Sequence, residues 1–413
     1  MKKIIALVIF SFVIYVSQSG PFNNSASNDV QKNYNGLKVI ELTGNFYQIG
    51  KQHGQKLKNE IAEIISLWKQ NLENTYDIDA ETFISNFYEN TNYFQAIEKW
   101  TPGFLREIRG ISDGAEIDFK TVFVYQLIDE IWVAGSEITE QHKCTTIGVS
   151  KHNGNPSMVA QNLDIPRFYH NYQTLLKINN TETNISAYVF TVAGIIGANG
   201  INSYSVGVDV NTITQLRHCT DGLPVDCVVR GILEQKSYAD AVQFINEIKH
   251  ASGQNYLIGG INEVGSFECS AGNVAKYTPF EEAYFTYHTN HPLANMDFDP
   301  ALITTLRDRY GHTPEEHVFQ CSRFNVLEER IKNYDGDVDL DLIKQTLRSK
   351  EGNGATINNS STFGSTIMIL KKNPELLIVA GSPSENEYIR FSLNGENFTH
   401  TRSNKKSDKG LNN

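Results

Sequence analysis

Apolar residues in the first third of the chain are spaced as on one face of a helix. Between residues 45 and 132 they recur every three or four positions, which predicts amphipathic helices. The clearest run consists of Ile49, Leu57, Ile61, Ile64, Ile65 and Leu67. Further helices are expected at 80–100, at 102–111, where Pro102 stands at the helix start, and at 119–132. A mainly helical segment is therefore expected over residues 37–143.

After about Lys143 the pattern changes to short runs rich in β-branched and aromatic residues. These runs predict strands at 144–149, 157–163, 174–178, 185–192, 204–213, 256–261, 266–270, 366–370, 376–380 and 388–393. Helices are expected at 225–234, 238–250 and 315–332. Strands, paired helices and further strands favour an α+β fold, a layered sandwich in which helices cover sheets. Residues 144–400 are expected to form this larger domain.

The N-terminus has the pattern of a secretory signal peptide. Basic Met1-Lys2-Lys3 is followed by a largely apolar run of 13 residues, Ile4 to Val16, and by the small-residue exit Ser17-Gln18-Ser19. The alternative is an N-terminal anchor. No later segment approaches the roughly 18 apolar residues of a membrane-spanning helix. A protein secreted or delivered to the lysosomal lumen is expected, with a flexible leader at 20–36 and a disordered tail at 401–413.

Composition and charge limit the classes of binding partner that are expected. The 413-residue chain has 40% hydrophobic and 20% charged residues, which is typical of a globular protein. Its net charge is −11, and removal of the first 19 residues, with two lysines and no acid, brings it to −13. An acidic chain without a basic cluster cannot neutralise phosphates, so no nucleic-acid partner is expected.

Six N-x-S/T sequons agree with a secretory route. They lie at Asn23, Asn179, Asn184, Asn358, Asn359 and Asn397, and are candidate glycosylation sites. The sequons at Asn358 and Asn359 overlap, so use of both is not expected.

The cysteine count is odd, which leaves one thiol over in a secreted protein. The five are Cys144, Cys219, Cys227, Cys269 and Cys321. Up to two disulfides are possible among the last four, and Cys219 with Cys227 could close a small loop. The remaining thiol could be an unpaired core residue, an intermolecular bridge or a nucleophile. The surroundings of Cys144 favour the nucleophile.

Several common motifs of catalysis and cofactor binding are missing from the sequence. It has no GxGxxG, GxxxxGK[ST] or GxSxG pattern, and no signature of papain-like cysteine proteases. His312 and His317 are five apart, whereas the HExxH zinc motif needs a spacing of four. Neither a metal nor another cofactor is expected.

One group of residues does indicate a catalytic site. Cys144-Thr145-Thr146 begins a predicted strand, and a second strand ends at Asp164 after an Asn-Gly turn. Adjacent antiparallel strands of this length would bring Asp164 back beside Cys144. Far downstream, Asn290 stands at a strand end and Arg323 near the start of a helix.

These pieces resemble the acyl-coenzyme A:6-aminopenicillanic acid acyltransferase family, peptidase family C45, a branch of the N-terminal nucleophile (Ntn) hydrolases. More distantly, the chain is similar to bile salt hydrolases and penicillin V acylases. The matching pieces are Cys-Thr-Thr at 144–146, Gln-Asn-Leu-Asp at 161–164, Gly207 with Asn211, Gly-Leu-Pro at 222–224, Arg-Gly-Ile-Leu-Glu at 230–234, Thr-Asn-His-Pro at 289–292 and Ser-Arg-Phe at 322–324. Their order and spacing, over nearly the whole mature chain, carry the resemblance.

The resemblance implies an αββα sandwich and self-cleavage between Lys143 and Cys144. Cleavage would give a two-chain heterodimer, and the new α-amino group would activate the Cys144 thiol. Asp164 would hold that amine, and Arg323 would stabilise charge near the nucleophile or pair with Asp164. Asn290, with Asn211, would donate to the oxyanion. Without the resemblance, Cys144 could be an inert strand residue, Asp164 and Asn290 turn residues, and Arg323 part of a surface ion pair.

Two positions depart from the relatives. Lys143 replaces the glycine that precedes the nucleophile in the acyltransferase, and Gln161 replaces the arginine of bile salt hydrolases. The second difference argues against bile salts as substrates.

The favoured function is hydrolysis of an N-acyl amide through an acyl-enzyme on Cys144. Acyl-CoA is scarce in the secretory lumen, which favours water as acceptor. By analogy with lumenal Ntn amidases, the substrate is expected to be a lipid amide such as a ceramide. The alternatives are acyl transfer from a thioester or amide to an amine, and a non-catalytic secreted glycoprotein that binds acyl ligands.

Overall fold

The computed structural model describes residues 32–34, 36–135, 144–316, 321–352 and 355–393, all within one compact unit. The predicted signal peptide, the leader up to Gln31, Lys143 and the tail lie outside the described residues. The sequons at Asn23 and Asn397 lie outside them as well. No helix within the described ranges has the length and apolar character needed to cross a membrane.

The first third of the chain is helical, as its periodicity predicts. Its helices are α1 Phe46–Lys56, α2 Lys58–Tyr76, α3 Ala80–Glu89, α4 Tyr93–Trp100, α5 Pro102–Ala115, α6 Phe119–Tyr125 and α7 Ile128–Gly135. Asn45 starts α1 with a capping box: its side chain accepts from the backbone of Gln48, whose side chain accepts from the backbone of Asn45. Of the apolar run that indicated these helices, Leu67 is an exception because it is exposed.

Helices α1 and α5 cross so closely that their backbones are in contact. A Cβ atom at Gly50 would lie 1.9 Å from the carbonyl oxygen of Glu107, and one at Gly110 would lie 2.3 Å from that of Tyr47. Glycines spaced by four on both helices, Gly50 with Gly54 and Gly110 with Gly114, make this approach possible.

The strands form two sheets. They are β1 Lys32–Tyr34, β2 Leu37–Gly44, β3 Thr145–Val149, β4 Ser157–Asp164, β5 Gln173–Asn180, β6 Ile185–Val192, β7 Asn199–Asn202, β8 Gly207–Thr212, β9 Gln254–Gly259, β10 Val264–Cys269, β11 Val274–Tyr277, β12 Phe285–His288, β13 Thr362–Leu370, β14 Glu375–Ala380 and β15 Ile389–Ser392. Among the described residues, the first sheet has the order β1-β2-β5-β6-β7-β8-β9-β10-β11, and the second has the order β12-β3-β4-β13-β14-β15. Within these ladders β2 and β5 run parallel and the other neighbours antiparallel.

The two sheets pack face to face, with helices on both outer sides. Between them, a Cβ at Gly259 of the first sheet would meet Val159 and Leu370 of the second. Helices α1, α8 Val225–Leu233 and α9 Tyr238–Glu247 cover the first sheet. Helices α11 Ser322–Leu327 and α12 Leu340–Leu347 share a buried cluster with outward residues of the second sheet. The expected αββα sandwich is confirmed by this layering.

Some elements differ from the expectation. Residues 37–44 form strand β2 rather than part of the helical segment, and β2 joins the first sheet beside β5. The helix expected at 315–332 begins only at Ser322 and ends in a π-helical turn, Glu328–Lys332. Helices α10 Pro300–Tyr310 and α12 have no counterpart in the prediction. These helices are only 8 and 11 residues long, and a helix of two or three turns gives a weak periodic signal.

All five cysteines are free thiols, so the expected disulfides are absent from the folded chain. Cys227 lies on α8 and Cys269 on β10, and both belong to the main apolar core. Cys219 donates instead to the carbonyl oxygen of His250. The proposed Cys219–Cys227 loop is therefore wrong.

Candidate active site

Cys144 lies directly before β3, an interior strand of the second sheet. An Asn153-Gly154 turn with positive φ at both residues connects β3 to β4. The two strands pair antiparallel with Thr145 opposite Asn162, which returns the chain to Cys144. The Cys144 thiol donates to the carbonyl oxygen of Asp164 across 3.8 Å. The structure therefore brings these two residues together, as the strand lengths suggested.

The Cys144 thiol is held in its neutral form. Only 5% of the residue is exposed, and burial raises its pKa to about 12, with a further increase from the charge of Asp164. The hydrogen bond to the backbone of Asp164 and the charge of Arg323 act in the opposite direction. A nearby base would have to remove the proton at neutral pH.

Asp164 is buried at the end of β4. Its Oδ2 atom accepts a hydrogen bond of 2.6 Å from the side-chain amide of Asn359. Asn359 also donates to the carbonyl oxygen of Thr356 and accepts from the backbone of Ser361, so its orientation is fixed. The carboxylate of Asp164 is thus oriented by a residue 195 positions further along the chain.

Arg323 joins the other predicted residues. Its guanidinium is 4% exposed and donates from Nη1 to the carbonyl oxygen of Cys144 and the hydroxyl of Thr145. From Nη2 it donates across 3.0 Å to Oδ1 of Asn290. A planar guanidinium suits this arrangement because its donors form a rigid fork. Arg323 thus lies between the proposed nucleophile and the proposed oxyanion donor.

Asn290 lies in the loop after β12. With Oδ1 bound to Arg323, its Nδ2 atom donates across 3.0 Å to the carbonyl oxygen of Thr212 at the end of β8. An amide nitrogen carries two hydrogens, so a second donor remains for a substrate oxygen.

A buried ion pair anchors the loop that carries Asn290. His288 lies 2.7 Å from Glu268 through Nε2, and its Nδ1 atom lies 2.7 Å from the carbonyl oxygen of Thr289. The Glu268 carboxylate also accepts from the backbone of Leu293, Ala294 and Asn295. Both ring nitrogens of His288 therefore face oxygen atoms, and Glu268 on β10 ties the ring and the backbone after β12 together.

Asn211 belongs to the polar layer between the two sheets. Its Oδ1 atom accepts from the Thr146 hydroxyl across 2.9 Å and from Asn255 across 3.0 Å. Its buried Nδ2 atom has no hydrogen-bond partner among the described residues. These contacts connect Asn211 to the second residue after Cys144, and its role toward an oxyanion stays a prediction.

The four described sequons differ in exposure. Asn179 and Asn184 are exposed, whereas Asn358 is buried and Asn359 is engaged with Asp164. Attachment of a glycan at either of the last two would require them to leave these positions. Glycosylation itself stays a prediction.

Asp129 lies near the site, and two further acidic residues, Glu130 and Asp226, lie near Asp129. Burial raises the pKa of Asp129 to about 6 and that of Glu130 to about 8, and it raises the pKa of Asp226 well above its usual range. Asp129 accepts from the hydroxyl of Thr212, whose carbonyl oxygen holds Asn290. No group of three or more His, Cys, Asp or Glu side chains in the described part of the chain is arranged to hold a metal ion.

Several residues that orient the site carry no catalytic signal in the sequence. Asn359 stands out there only as a glycosylation candidate, and Glu268 and His288 belong to no motif with a predicted role. Two family pieces prove to be structural. Arg230 forms a buried bidentate ion pair with Glu107, and a Cβ at Gly222 would contact the backbone of His250.

Solved structures match the chain at low similarity. A mutant of conjugated bile acid hydrolase from Clostridium perfringens is 14% identical, with a TM-score of 0.35, and the match covers 63% of this chain and 97% of that one. Penicillin V acylase from Agrobacterium tumefaciens is 10% identical, with a TM-score of 0.30, and the match covers 57% and 82%.

Sequence similarity is more informative. The acyl-coenzyme A:6-aminopenicillanic-acid-acyltransferase 40 kDa form of Emericella nidulans is 25% identical over 333 residues, 78% of this chain and 88% of the relative. Protein dcd1A of Dictyostelium discoideum is 28% identical over 126 residues, 27% of this chain and 29% of its own. The family model for acyl-coenzyme A:6-aminopenicillanic acid acyl-transferase matches residues 150–327. The resemblance read from the sequence is confirmed: the chain is similar to this acyltransferase family in a segment of 178 residues and to one of its members over most of its length.

Proposed function

We propose that the protein is an Ntn cysteine amidohydrolase that cleaves an N-acyl amide through an acyl-enzyme on Cys144. One observation carries the proposal: Cys144, Asp164, Asn290 and Arg323, spread over 180 positions of sequence, lie in one cluster of contacts. The thiol contacts Asp164, and Arg323 connects the backbone of Cys144 to Asn290. Similarity to an acyltransferase family favours an enzyme over a non-catalytic acyl-binding glycoprotein.

Activation would begin with self-cleavage. The Cys144 sulfur attacks the carbonyl carbon of Lys143, the peptide nitrogen leaves, and a thioester forms. Water hydrolyses the thioester, which gives a carboxylate at Lys143 and a free α-amino group at Cys144. A free α-amino group titrates near pH 7.7–8.0, so it can take the proton of a thiol that burial keeps neutral.

Catalysis would then repeat the same chemistry on a substrate. The α-amino group accepts the thiol proton while sulfur attacks the amide carbon, and Asn290 donates to the oxygen that gains negative charge. The α-ammonium group returns the proton to the leaving amine. Water attacks the thioester and restores the thiol. Asp164, held by Asn359, would orient the α-amino group throughout.

Acyl transfer to an amine is the second candidate, favoured by the name of the Emericella relative. It differs only in the acceptor that resolves the thioester. On the basis of its N-terminal pattern, we propose that the protein is secreted or lies in the lysosomal lumen. Acyl-CoA is scarce there, which favours water as the acceptor that resolves the thioester. Lipid amides such as ceramide are the first substrate class to test.

The test compares secreted wild-type protein with Cys144→Ala by intact mass and N-terminal sequencing. Two chains in the wild type, one ending at Lys143 and one starting at Cys144, with an uncleaved variant, would support the proposal. Each protein is then incubated with N-acyl amides, with and without an amine acceptor and an acyl-CoA. An uncleaved wild type without amidase or transferase activity would reject the proposal.

A further inference from the structure

A cavity of about 580 Å³ opens at one end of the interior strands of the second sheet, where β4 ends, β13 begins and β14 ends. Six of its lining residues matter here: Arg167, His170, Lys350, Asn358, Asn359 and Glu385. The motifs that indicate the active site include none of them, and of the six only Asn359 has a proposed role in catalysis, through its hydrogen bond to Asp164.

The cavity begins where the catalytic cluster ends. Asn359 lines it and donates to Asp164, and Thr362 at the start of β13 pairs with Asp164 in the sheet. Strand β13 is two strands away from β3. At about 4.8 Å between neighbouring strands, the cavity wall lies roughly 10 Å from Cys144.

The cavity has an excess of positive charge. Arg167 forms no ion pair within the described residues, whereas Lys350 lies 3.7 Å from Glu385, which offsets its charge. Burial lowers the pKa of His170, and the nearby charge of Arg167 lowers it further, so His170 adds no charge at neutral pH. The net charge of the lining is therefore that of the Arg167 guanidinium.

The cavity wall also holds an unused donor. Asn358 is 1% exposed, and its Nδ2 atom has no hydrogen-bond partner among the described residues, while its Oδ1 atom accepts from the hydroxyl of Ser382. A buried amide nitrogen without an acceptor costs free energy, which an oxygen atom of a ligand would recover. A cation and a free amide donor together suit an anionic group rich in oxygen.

The mechanism indicates which half of the substrate reaches this cavity. The proton for the leaving amine comes from the α-ammonium group of Cys144, which Asp164 is proposed to hold. The leaving nitrogen must then lie on the Asp164 side of the thiol, and Asn359 joins that side to the cavity.

We infer that the cavity binds the amine half of the substrate through a carboxylate, sulfonate or phosphate roughly 10 Å from the scissile carbonyl, with Arg167 as the principal contact. This inference rests on the proposed function and narrows it. Ceramides and N-acylethanolamines have no such group and would be poorer substrates than amides of long amines that end in an anion.

The test uses processed enzyme and three dodecanoyl amides of similar length, formed with 6-aminohexanoate, 5-aminopentyl phosphate and neutral 6-aminohexanamide. At least one anionic amide should exceed the neutral amide in kcat/KM by about tenfold, the scale of one charge-assisted hydrogen bond. Arg167→Ala should remove this advantage and leave the neutral amide unchanged. Arg309→Ala, which removes an exposed arginine on α10, should keep it.

Calorimetric titration of free 6-aminohexanoate and 5-aminopentyl phosphate into both variants measures binding without turnover. Equal kcat/KM for anionic and neutral amides, or an advantage that survives Arg167→Ala, would overturn the inference while leaving the amidase proposal intact. If the enzyme cleaves no amide, the proposed function fails. Calorimetry then decides on the cavity alone, since binding that does not depend on Arg167 would refute it.

Discussion

The guanidinium of Arg323 donates a 3.0 Å hydrogen bond from Nη2 to Oδ1 of Asn290, and Nη1 of the same group donates to the backbone of Cys144. One planar group thus fixes the distance between the proposed nucleophile and the proposed oxyanion donor. Bound to Oδ1, it also orients the amide of Asn290, whose nitrogen donates once to Thr212 and keeps a second hydrogen for a substrate oxygen.

Replacement of Arg323 tests this geometry. Arg323→Lys keeps the charge but loses the fork, and Arg323→Met loses both while keeping the length. We expect each to lower kcat/KM by about 10²-fold, the cost of one misplaced oxyanion donor. Steady-state kinetics and circular dichroism would measure activity and folding. A fully active Arg323→Met enzyme would show that the bridge is dispensable.

Asn359 offers a test that separates catalysis from glycosylation. Asn359→Leu removes the donor to Asp164, and we expect cleavage and amidase activity to fall at least tenfold because the carboxylate loses its orientation. Ser361→Ala removes the sequon of Asn359 and leaves its amide in place. Equal losses in the two variants would point to the glycan instead.

The ion pair of Glu268 and His288 should stabilise the fold and the Asn290 loop. Glu268→Gln removes the charge beside His288 and replaces one carboxylate oxygen with an NH2 group, which cannot accept from the backbone of residues 293–295. We expect the free energy of unfolding to fall by about 3 kcal/mol. Urea denaturation would measure this loss against Glu263→Gln, an exposed site. A stability equal to that of the control would contradict the assignment.

Stability should peak in mildly acidic solution. Burial raises the pKa of Glu130 from 4.5 to about 8, so between these values the folded protein keeps a proton that the unfolded chain has lost. Stability therefore falls as the pH rises through this window. Asp209 and Asp226, whose pKa values burial also raises, act in the same direction.

Buried histidines act in the opposite direction. Burial lowers the pKa of His53 to about 3 and those of His250 and His291 to about 4. Below 6.5 the unfolded chain binds protons that the folded chain does not, so stability falls on acidification. We expect the highest Tm between about pH 4.5 and 6.5, where the carboxyl groups with raised pKa and the histidines with lowered pKa oppose each other. Glu130→Gln should flatten the decline from there to pH 8, and an unchanged decline in scanning calorimetry would contradict this account.

The close crossing of α1 and α5 predicts that Gly50 does not tolerate a larger residue. Gly50→Ala would place a methyl group 1.9 Å from the carbonyl oxygen of Glu107, which forces the helices apart. We expect a loss of about 1–3 kcal/mol or more in the free energy of unfolding. Gln55→Ala, at an exposed position of the same helix, serves as the control. Equal thermal stability of the two variants would show that the crossing adapts.

The sequence by itself determined the elements and their local partners. Its periodicity indicated the helices between Asn45 and Trp132 and most strands of both sheets. It also brought Asp164 to Cys144, because two strands joined by a short Asn-Gly turn can pair in only a few registers. Contacts of this kind depend on neighbouring residues, so a linear pattern contains them.

Only the tertiary structure decided what holds the site in place. Arg323 reaches Cys144 across 179 positions and Asn359 reaches Asp164 across 195, through loops whose paths no periodicity encodes. The pairing of Glu268 with His288 and the separation of the five thiols likewise follow from how the layers stack. Side chains from distant elements become neighbours only when apolar faces pack, and the same burial then sets their charges and hydrogen bonds.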